Sequence, residues 1–325
     1  MRNRKIAGKI LYFAVILILV LVMIFSGLQI LESTVLYRGQ EEVYISKTIE
    51  RNGVKYFPRR DIITVLVMGI DQTGPVQDSG SYTNPGAADM VMLMILDEKT
   101  EEYSILALNR DTMLEMQVLG IGGKPAGTEY GQLALAHTYG SGLEDSCENT
   151  VKTVSDFLYG AQIDYYISMN MDAIAVLNDA VGGVTVHVVD DFSAVDPSIT
   201  MGDVTLHSSQ ATHYLRSRRD VGNQLNLSRM ERHRTYVDAF IEAFRAKIQT
   251  DDSFALEVYD KITPYVVTDC SATVLTSMME RYSGYTLKET VSPAGENVRG
   301  EAYMEFHVDE EKLDELILRL LYAPK

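Results

Sequence analysis

Three stretches of this chain leave little choice of secondary structure. Thr64-Val-Leu-Val-Met-Gly-Ile70, Met90-Val-Met-Leu-Met-Ile-Leu96 and Tyr103-Ser-Ile-Leu-Ala-Leu108 are apolar almost throughout and of strand length. Runs without polar alternation belong to strands covered on both faces, so a layer must pack on each side of their sheet. Between the second and third, Asp97-Glu-Lys-Thr-Glu-Glu102 is a tight polar turn, which predicts a hairpin. Downstream the pattern predicts helices near 131–139 and 147–159, a strand over Tyr165–Met169, and a helix over Asp172–Ala180 closed by Gly182 and Gly183. A strand over Val184–Val189 follows. Alternating strands and helices predict the α/β class, as a layered α-β-α sandwich with a central mixed sheet.

The N-terminus places this fold relative to a membrane. Ile10 to Leu31 is apolar and uncharged, and its 22 residues would span about 33 Å as a helix, enough to cross a bilayer. The run is longer than a signal-peptide core and no small-x-small cleavage site follows it, so an anchor is expected. Arg2, Arg4, Lys5 and Lys9 precede it and should stay inside. The expected order is a cytoplasmic tail over 1–9, a transmembrane helix over 10–31, a polar stalk over 32–60 and an extracytoplasmic domain over 61–325. The expectation is a single-pass protein of the cell membrane with its C-terminal domain outside the cell.

The chain carries a net charge of -16, and the basic residues ahead of the apolar run leave the outer part more acidic still. Such a field excludes nucleic acid as a partner. Cys147 and Cys270 are the only cysteines; they can pair outside the membrane, but two do not make a disulfide framework.

Against that acidity, Arg216, Arg218, Arg219, Arg229, Arg232 and Arg234 gather in one short stretch. Guanidinium groups offer paired planar donors that match phosphate or carboxylate, although a solvated helix face also collects arginines. A long helix is expected from Ser228, with Ser228 and Glu231 as a capping box and Met230, Val237, Phe240, Ile241, Phe244 and Ile248 as its buried stripe. Arg229 and Arg232 then share a face in its first turn, where free N–H groups favour anions. Arg216 and Arg218 point the same way only if their segment is extended, and 219–227 would be the connecting loop. Other chemistries find no support. His137 sits in an apolar segment as a packed histidine, His213 and His233 lack a zinc-ligand spacing, Gly140-Ser-Gly142 lacks a nucleophile-elbow frame, and Gly120-Ile-Gly-Gly123 lacks a dinucleotide pattern.

Five blocks in order then resemble one family. They are Val65-Leu-Val-Met-Gly-Ile-Asp71, Ala88-Asp-Met-Val-Met-Leu-Met94, Leu108-Asn-Arg-Asp-Thr112, the strand-helix-strand segment Tyr166 to Gly183, and Tyr214-Leu-Arg-Ser-Arg218 with Arg229-Met-Glu-Arg232. Together they are similar to the LytR-CpsA-Psr family, also named for a cell-envelope-related transcriptional attenuator domain. The similarity covers 64–248, leaving a C-terminal helical part over 249–325. The resemblance implies a phosphotransferase of cell wall biogenesis. It would move a glycopolymer from an undecaprenyl-pyrophosphate carrier onto peptidoglycan, with the lipid tail in an apolar pocket between sheet and helices. It implies Mg²⁺ held by Asp71 and Asp89, a pyrophosphate clamp of Arg110, Arg216, Arg218, Arg229 and Arg232, and catalytic roles for Arg110, Asp111, Arg216 and Arg218, with Asp111 orienting Arg110. Departures are visible: Ala87 where the family has arginine, Asn109 for its proline, Met90 for Thr or Ser, Asn226 for an acidic residue, His233 for glutamine, and a long Gly/Pro-rich insertion between Asp71 and Asp89. These leave an alternative, a polyprenyl-pyrophosphate-binding or regulatory envelope protein without turnover.

Overall fold

In the computed structural model of the chain, the three apolar runs are the strands Ile62–Ile70, Ala88–Asp97 and Glu102–Leu108. The structure describes residues 48–217, 221, 226–248, 250, 254–270 and 285–324. The apolar run over 10–31 and the cytoplasmic tail lie outside them, and among the described residues no helix is long and apolar enough to cross a membrane. The described residues form two compact units where one domain is expected: 48–169 with 266–270 and 285–324, and 170–265.

The first unit is built on a six-stranded sheet in the order Val266–Thr268, Tyr165–Asn170, Ile62–Ile70, Ala88–Asp97, Glu102–Leu108, Thr286–Val291. The hairpin expected between the second and third runs is present, its turn fixed by Asp97 Oδ1, which accepts the N–H of Lys99 (3.0 Å) and Thr100 (3.1 Å). Thr286–Val291 runs parallel to Glu102–Leu108 whereas Val266–Thr268 is antiparallel to its neighbour, so the sheet is mixed.

Register decides which residues meet on each face. Leu66 opposes Leu93, Met68 opposes Val91, and Leu93 opposes Leu106. These residues are at most 2 % exposed and join Cys147 and Val154 of the Glu144–Phe157 helix and Ile317 of the Glu310–Leu321 helix in one core. Each such side chain adds roughly 1.5–3 kcal/mol of burial. The other face is uneven. Val65, Met94, Leu96 and Tyr103 are buried at one end, but Val67, Met90, Met92 and Ala107 are only half-buried toward the other.

Several expectations need correction. Ile49–Arg51 and Val54–Pro58 form a hairpin, and Pro58 pairs with Tyr322 of the C-terminal strand, so the folded unit starts inside the expected stalk. The helix near 131–139 is instead the end of the strand Pro125–Gln132 followed by a short 3-10 turn over Leu133–Thr138. The strand pairs back on Met113–Leu119, and that non-local ribbon outweighs the local helical pattern. Residues 249–325 are not helical throughout. They hold the Phe254–Ile262 and Glu310–Leu321 helices, two strands of the central sheet, and a separate hairpin of Gly295–Arg299 with Met304–Val308.

The second unit follows its sequence pattern closely. Asp172–Ala180 is a helix, and the N–H groups of Gly182 and Gly183 close it on Asp179 O (3.0 Å) and Asn178 O (2.9 Å) with φ of 89° and 93°, values that glycine adopts without strain. Val184–Val188 pairs with Gly202–Leu206, and the helices Ser209–Arg216, Asn226–Ile248 and Phe254–Ile262 follow. Phe240, Phe244 and Phe254 pack in series as tilted rings at centroid separations of 5.7 and 5.2 Å. Of the expected stripe, Phe240 and Phe244 are buried but Val237 is 50 % exposed, its place taken by buried Tyr236. The long helix starts at Asn226, two residues before Ser228, so Ser228 lies inside the helix and does not cap it.

Candidate active site

The hairpin between Ile62–Ile70 and Ala88–Asp97 carries the two aspartates to one end of the sheet. Gly69 pairs with Met90 and Ile70 with Ala88, which leaves Asp89 as the extra residue of a β-bulge. A bulge turns its side chain out of the regular alternation, a device common beside functional sites. Asp71 follows the end of its own strand, exposed, with its N–H on Ala87 O at 2.9 Å.

The insertion between them is pinned rather than loose. Asn84 is buried, and its amide donates to His137 O (2.7 Å), Gly140 O (3.1 Å) and Ser146 Oγ (3.1 Å) while its Oδ1 accepts from Gly86 N at 2.8 Å. His137 is indeed packed, with Nδ1 2.8 Å from Gly86 O, and burial lowers its pKa. A single asparagine therefore fixes the strand that presents Asp89.

Arg110 completes this end. Its Nη1 is ion-paired to Asp89 Oδ1, and its Nε lies 3.3 Å from Asp111 Oδ1 without being aimed at it, so that donor makes no hydrogen bond. Arg110, Asp89 and Asp111 retain 23, 24 and 25 % side-chain exposure. Asn109 supplies what proline would. Its Oδ1 accepts Asp111 N–H at 3.0 Å, and its carbonyl accepts Thr112 N–H (3.0 Å) and Oγ1–H (2.6 Å), an Asx turn that sets the backbone. Gln132 holds Asp111 from the side, with Nε2 2.7 Å from its Oδ1 and 2.9 Å from Met304 O. Nothing in the local sequence around Gln132 marks it, because its partners come from a distant turn and strand.

The second unit treats its arginines differently. Arg232, expected in the clamp, is 4 % exposed, with Nε on Tyr214 O (3.1 Å), Nη1 on Asp190 Oδ2 (2.8 Å), Nη2 on Ser217 O, and its guanidinium 5.5 Å from the Phe192 ring centre. Its donors are engaged inside the unit, so it positions the end of the Ser209–Arg216 helix and is not free to grip a ligand. Arg216 is exposed at that helix's last residue, not in an extended segment. Arg229 lies in the first turn of Asn226–Ile248, its side chain outside the described set, and Arg218 is outside it altogether.

Asp71, Asp89 and Asp111 are hard oxygen donors, and Asp71 and Asp89 sit on adjacent strand ends. Among the described residues no group of three or more His, Cys, Asp or Glu is arranged to hold a metal ion alone. A pair of carboxylates suits Mg²⁺, which keeps most of its shell for water and substrate oxygens. Cys147 and Cys270 are both buried and neither is in a disulfide, and burial raises the pKa of both thiols.

Comparison with known proteins identifies the family of the chain. A sequence profile of the LytR_cpsA_psr family matches residues 33–320. The polyisoprenyl-teichoic acid–peptidoglycan teichoic acid transferase TagU of Bacillus licheniformis is 28% identical over 197 residues, 61% of this chain and 57% of that protein. The match thus spans little more than half the length of that relative. Among solved structures, TagV of Bacillus subtilis aligns with a TM-score of 0.57 at 24% identity, covering 81% of this chain and 96% of TagV. Protein gbs0355 of Streptococcus agalactiae aligns with a TM-score of 0.62 at 19% identity, covering 80% and 86%. At these identities the structural likeness is one of fold.

Proposed function

The chain belongs to the LytR_cpsA_psr family, and from that premise we propose that it is a membrane-anchored phosphotransferase acting outside the cell. In this reading it moves a glycopolymer from an undecaprenyl-pyrophosphate carrier onto peptidoglycan. The observation that carries it is the convergence of Asp71, Asp89, Arg110 and Asp111 at one sheet end, fixed by hairpin register, a bulge and an Asx turn. The transferase name of its relative TagU supports the same direction.

Asp71 and Asp89 are the residues that would hold Mg²⁺. When bound, the ion neutralises charge on the pyrophosphate oxygens. Arg110 now answers the Asp89 charge and has one donor unused, so a phosphate oxygen arriving beside it finds a guanidinium ready to bond. Asp111, itself held by Gln132, places a second carboxylate beside that guanidinium. Half-buried Val67, Met90, Met92 and Ala107 line the same end of the sheet, and soft thioethers suit a flexible prenyl chain.

The test is incubation of the full-length protein in detergent with a lipid-pyrophosphate-linked glycan, Mg²⁺ and peptidoglycan oligomers, with mass spectrometry for a new phosphodiester. Product that needs Mg²⁺ is expected. Tight binding of the lipid pyrophosphate with no product would establish the non-catalytic alternative, which the replacement of an arginine by Ala87 favours. Arg216, Arg218 and Arg229 are each tested separately by alanine substitution for their effect on pyrophosphate affinity.

A further inference from the structure

The ribbon of Met113–Leu119 and Pro125–Gln132 has two unlike faces. Leu114 and Met116 point into the core. On the other face Glu115 opposes Tyr130 and Gln117 opposes Thr128, and opposed residues of an antiparallel pair project to one side. Thr128 Oγ1 donates to Glu115 Oε1 at 2.7 Å across that side. The strip ends at Gln132, whose amide bonds Asp111 and the carbonyl of Met304. Tyr130 stands two residues further out, about 7 Å along the strand, and is 60 % exposed. Tyr303, next to Met304, is 40 % exposed. Two aromatic rings thus lie in water near a residue that reaches the candidate active site.

The chemistry of this strip selects its ligand. It presents an amide, a hydroxyl and a carboxylate beside tyrosines, and no lysine or arginine, so a polyphosphate chain would meet negative charge and no cation along it. Flat aromatic faces with neutral hydrogen-bonding groups suit the C–H faces, hydroxyls and acetamido groups of a saccharide. We propose that this ribbon face is the acceptor subsite and holds the glycan strand of peptidoglycan. Tyr130 and Tyr303 stack on sugar rings, and Gln117 and Thr128 bond their substituents. The identity of the glycan rests on the transferase reading above; the saccharide specificity of the strip does not.

The experiment titrates full-length protein in detergent with chitohexaose, an uncharged N-acetylglucosamine oligomer, followed by saturation-transfer NMR. Wild type binds, Tyr130→Ala or Tyr303→Ala binds roughly tenfold more weakly, and Tyr130→Trp binds as wild type does. In the transfer assay Tyr130→Ala raises KM for the peptidoglycan oligomer and leaves KM for the lipid-linked donor unchanged. Because Tyr130 is exposed, an unchanged Tm checks that the alanine variant is folded. No binding by wild type, or equal affinity of wild type and both alanine variants, overturns the subsite. Chitohexaose binding that depends on Tyr130 in a protein that makes no phosphodiester supports the subsite while removing the transferase reading, so the two fail separately.

Discussion

Arg110 and Arg232 come from motifs expected to do one job, and the two units use them in opposite ways. Arg110 keeps about a quarter of its side chain in water, is ion-paired to Asp89 and lies 3.3 Å from Asp111, and leaves Nε without a hydrogen bond. Arg232 is 4 % exposed, lies over the Phe192 ring, and donates to Asp190 and two backbone carbonyls. An arginine with spare donors and a water-facing edge can exchange a partner for a phosphate. One whose three guanidinium nitrogens each donate to an acceptor of its own unit can only be removed at a cost to the fold. Sequence spacing does not separate the two cases, because both are basic residues beside the same kind of motif.

The sharpest way to break this contrast is through stability. Arg232→Ala leaves Asp190 and the carbonyls of Tyr214 and Ser217 unanswered, and should cost about 3–5 kcal/mol in urea unfolding. Arg110→Ala should stay within about 1 kcal/mol of wild type. Equal losses would mean that both arginines are struts.

Activity reverses the ranking. Asp71→Asn or Asp89→Asn should lower Mg²⁺-dependent transfer by about 10²-fold or more while the Tm holds, since each removes a charge facing the transferring phosphate. Arg110→Lys should recover only part of what Arg110→Ala loses, because a point charge cannot grip two oxygens in a plane. Transfer by Asp89→Asn at the wild-type rate and Mg²⁺ requirement would remove the shared-cation assignment.

A carboxylate buried without an arginine supplies the next comparison. Asp269 accepts the Tyr166 N–H at 2.9 Å, and burial raises its pKa to about 6, against about 3.9 in an unfolded chain. Between those values the native state holds a proton that the unfolded chain has released. Stability therefore falls as pH rises from about 4 to about 6, by at most about 3 kcal/mol from this group. Asp269→Asn keeps the accepting oxygen, and should flatten that slope and raise stability above pH of about 6, as read by urea midpoints on either side. An unchanged slope would show that neighbouring Glu148, also raised by burial, carries the effect.

The smallest effect concerns Asn109. Loss of its Asx turn in Asn109→Ala should cost about 0.5–1.5 kcal/mol, and Asn109→Asp should restore most of it in thermal melts.

What the chain shows plainly is whatever local pattern can encode. The apolar runs name the central strands because continuous burial needs continuous hydrophobicity, and Gly182-Gly183 ends its helix because only glycine reaches that φ cheaply. The Ile49–Pro58 hairpin also had a signal. Asn52-Gly53 takes φ of 51° and 77°, the left-handed pair of a tight hairpin turn, but its strands are short and mostly exposed. Thr286–Val291 had none, because its place beside Glu102–Leu108 is a pairing across most of the chain. At the site, Asp71, Asp89 and Arg110 were legible as motif residues. Gln132 and Asn84 were not, since an amide declares its role only through the distant groups it bonds.

The anchoring of Asn84 also has an engineering consequence. Because the amide locks the chain just ahead of Asp89 and Ser79 N–H is held on Ser141 O at 2.9 Å upstream, the exposed turn at Gly80 and Ser81 between these two clasps can vary without moving the aspartate. Lengthening such a turn is inexpensive, about 0.6 kcal/mol for each doubling of loop length. Reporter tags or foreign peptides can therefore be spliced into that turn as an exchangeable cassette, with Asn84 retained as the downstream clasp.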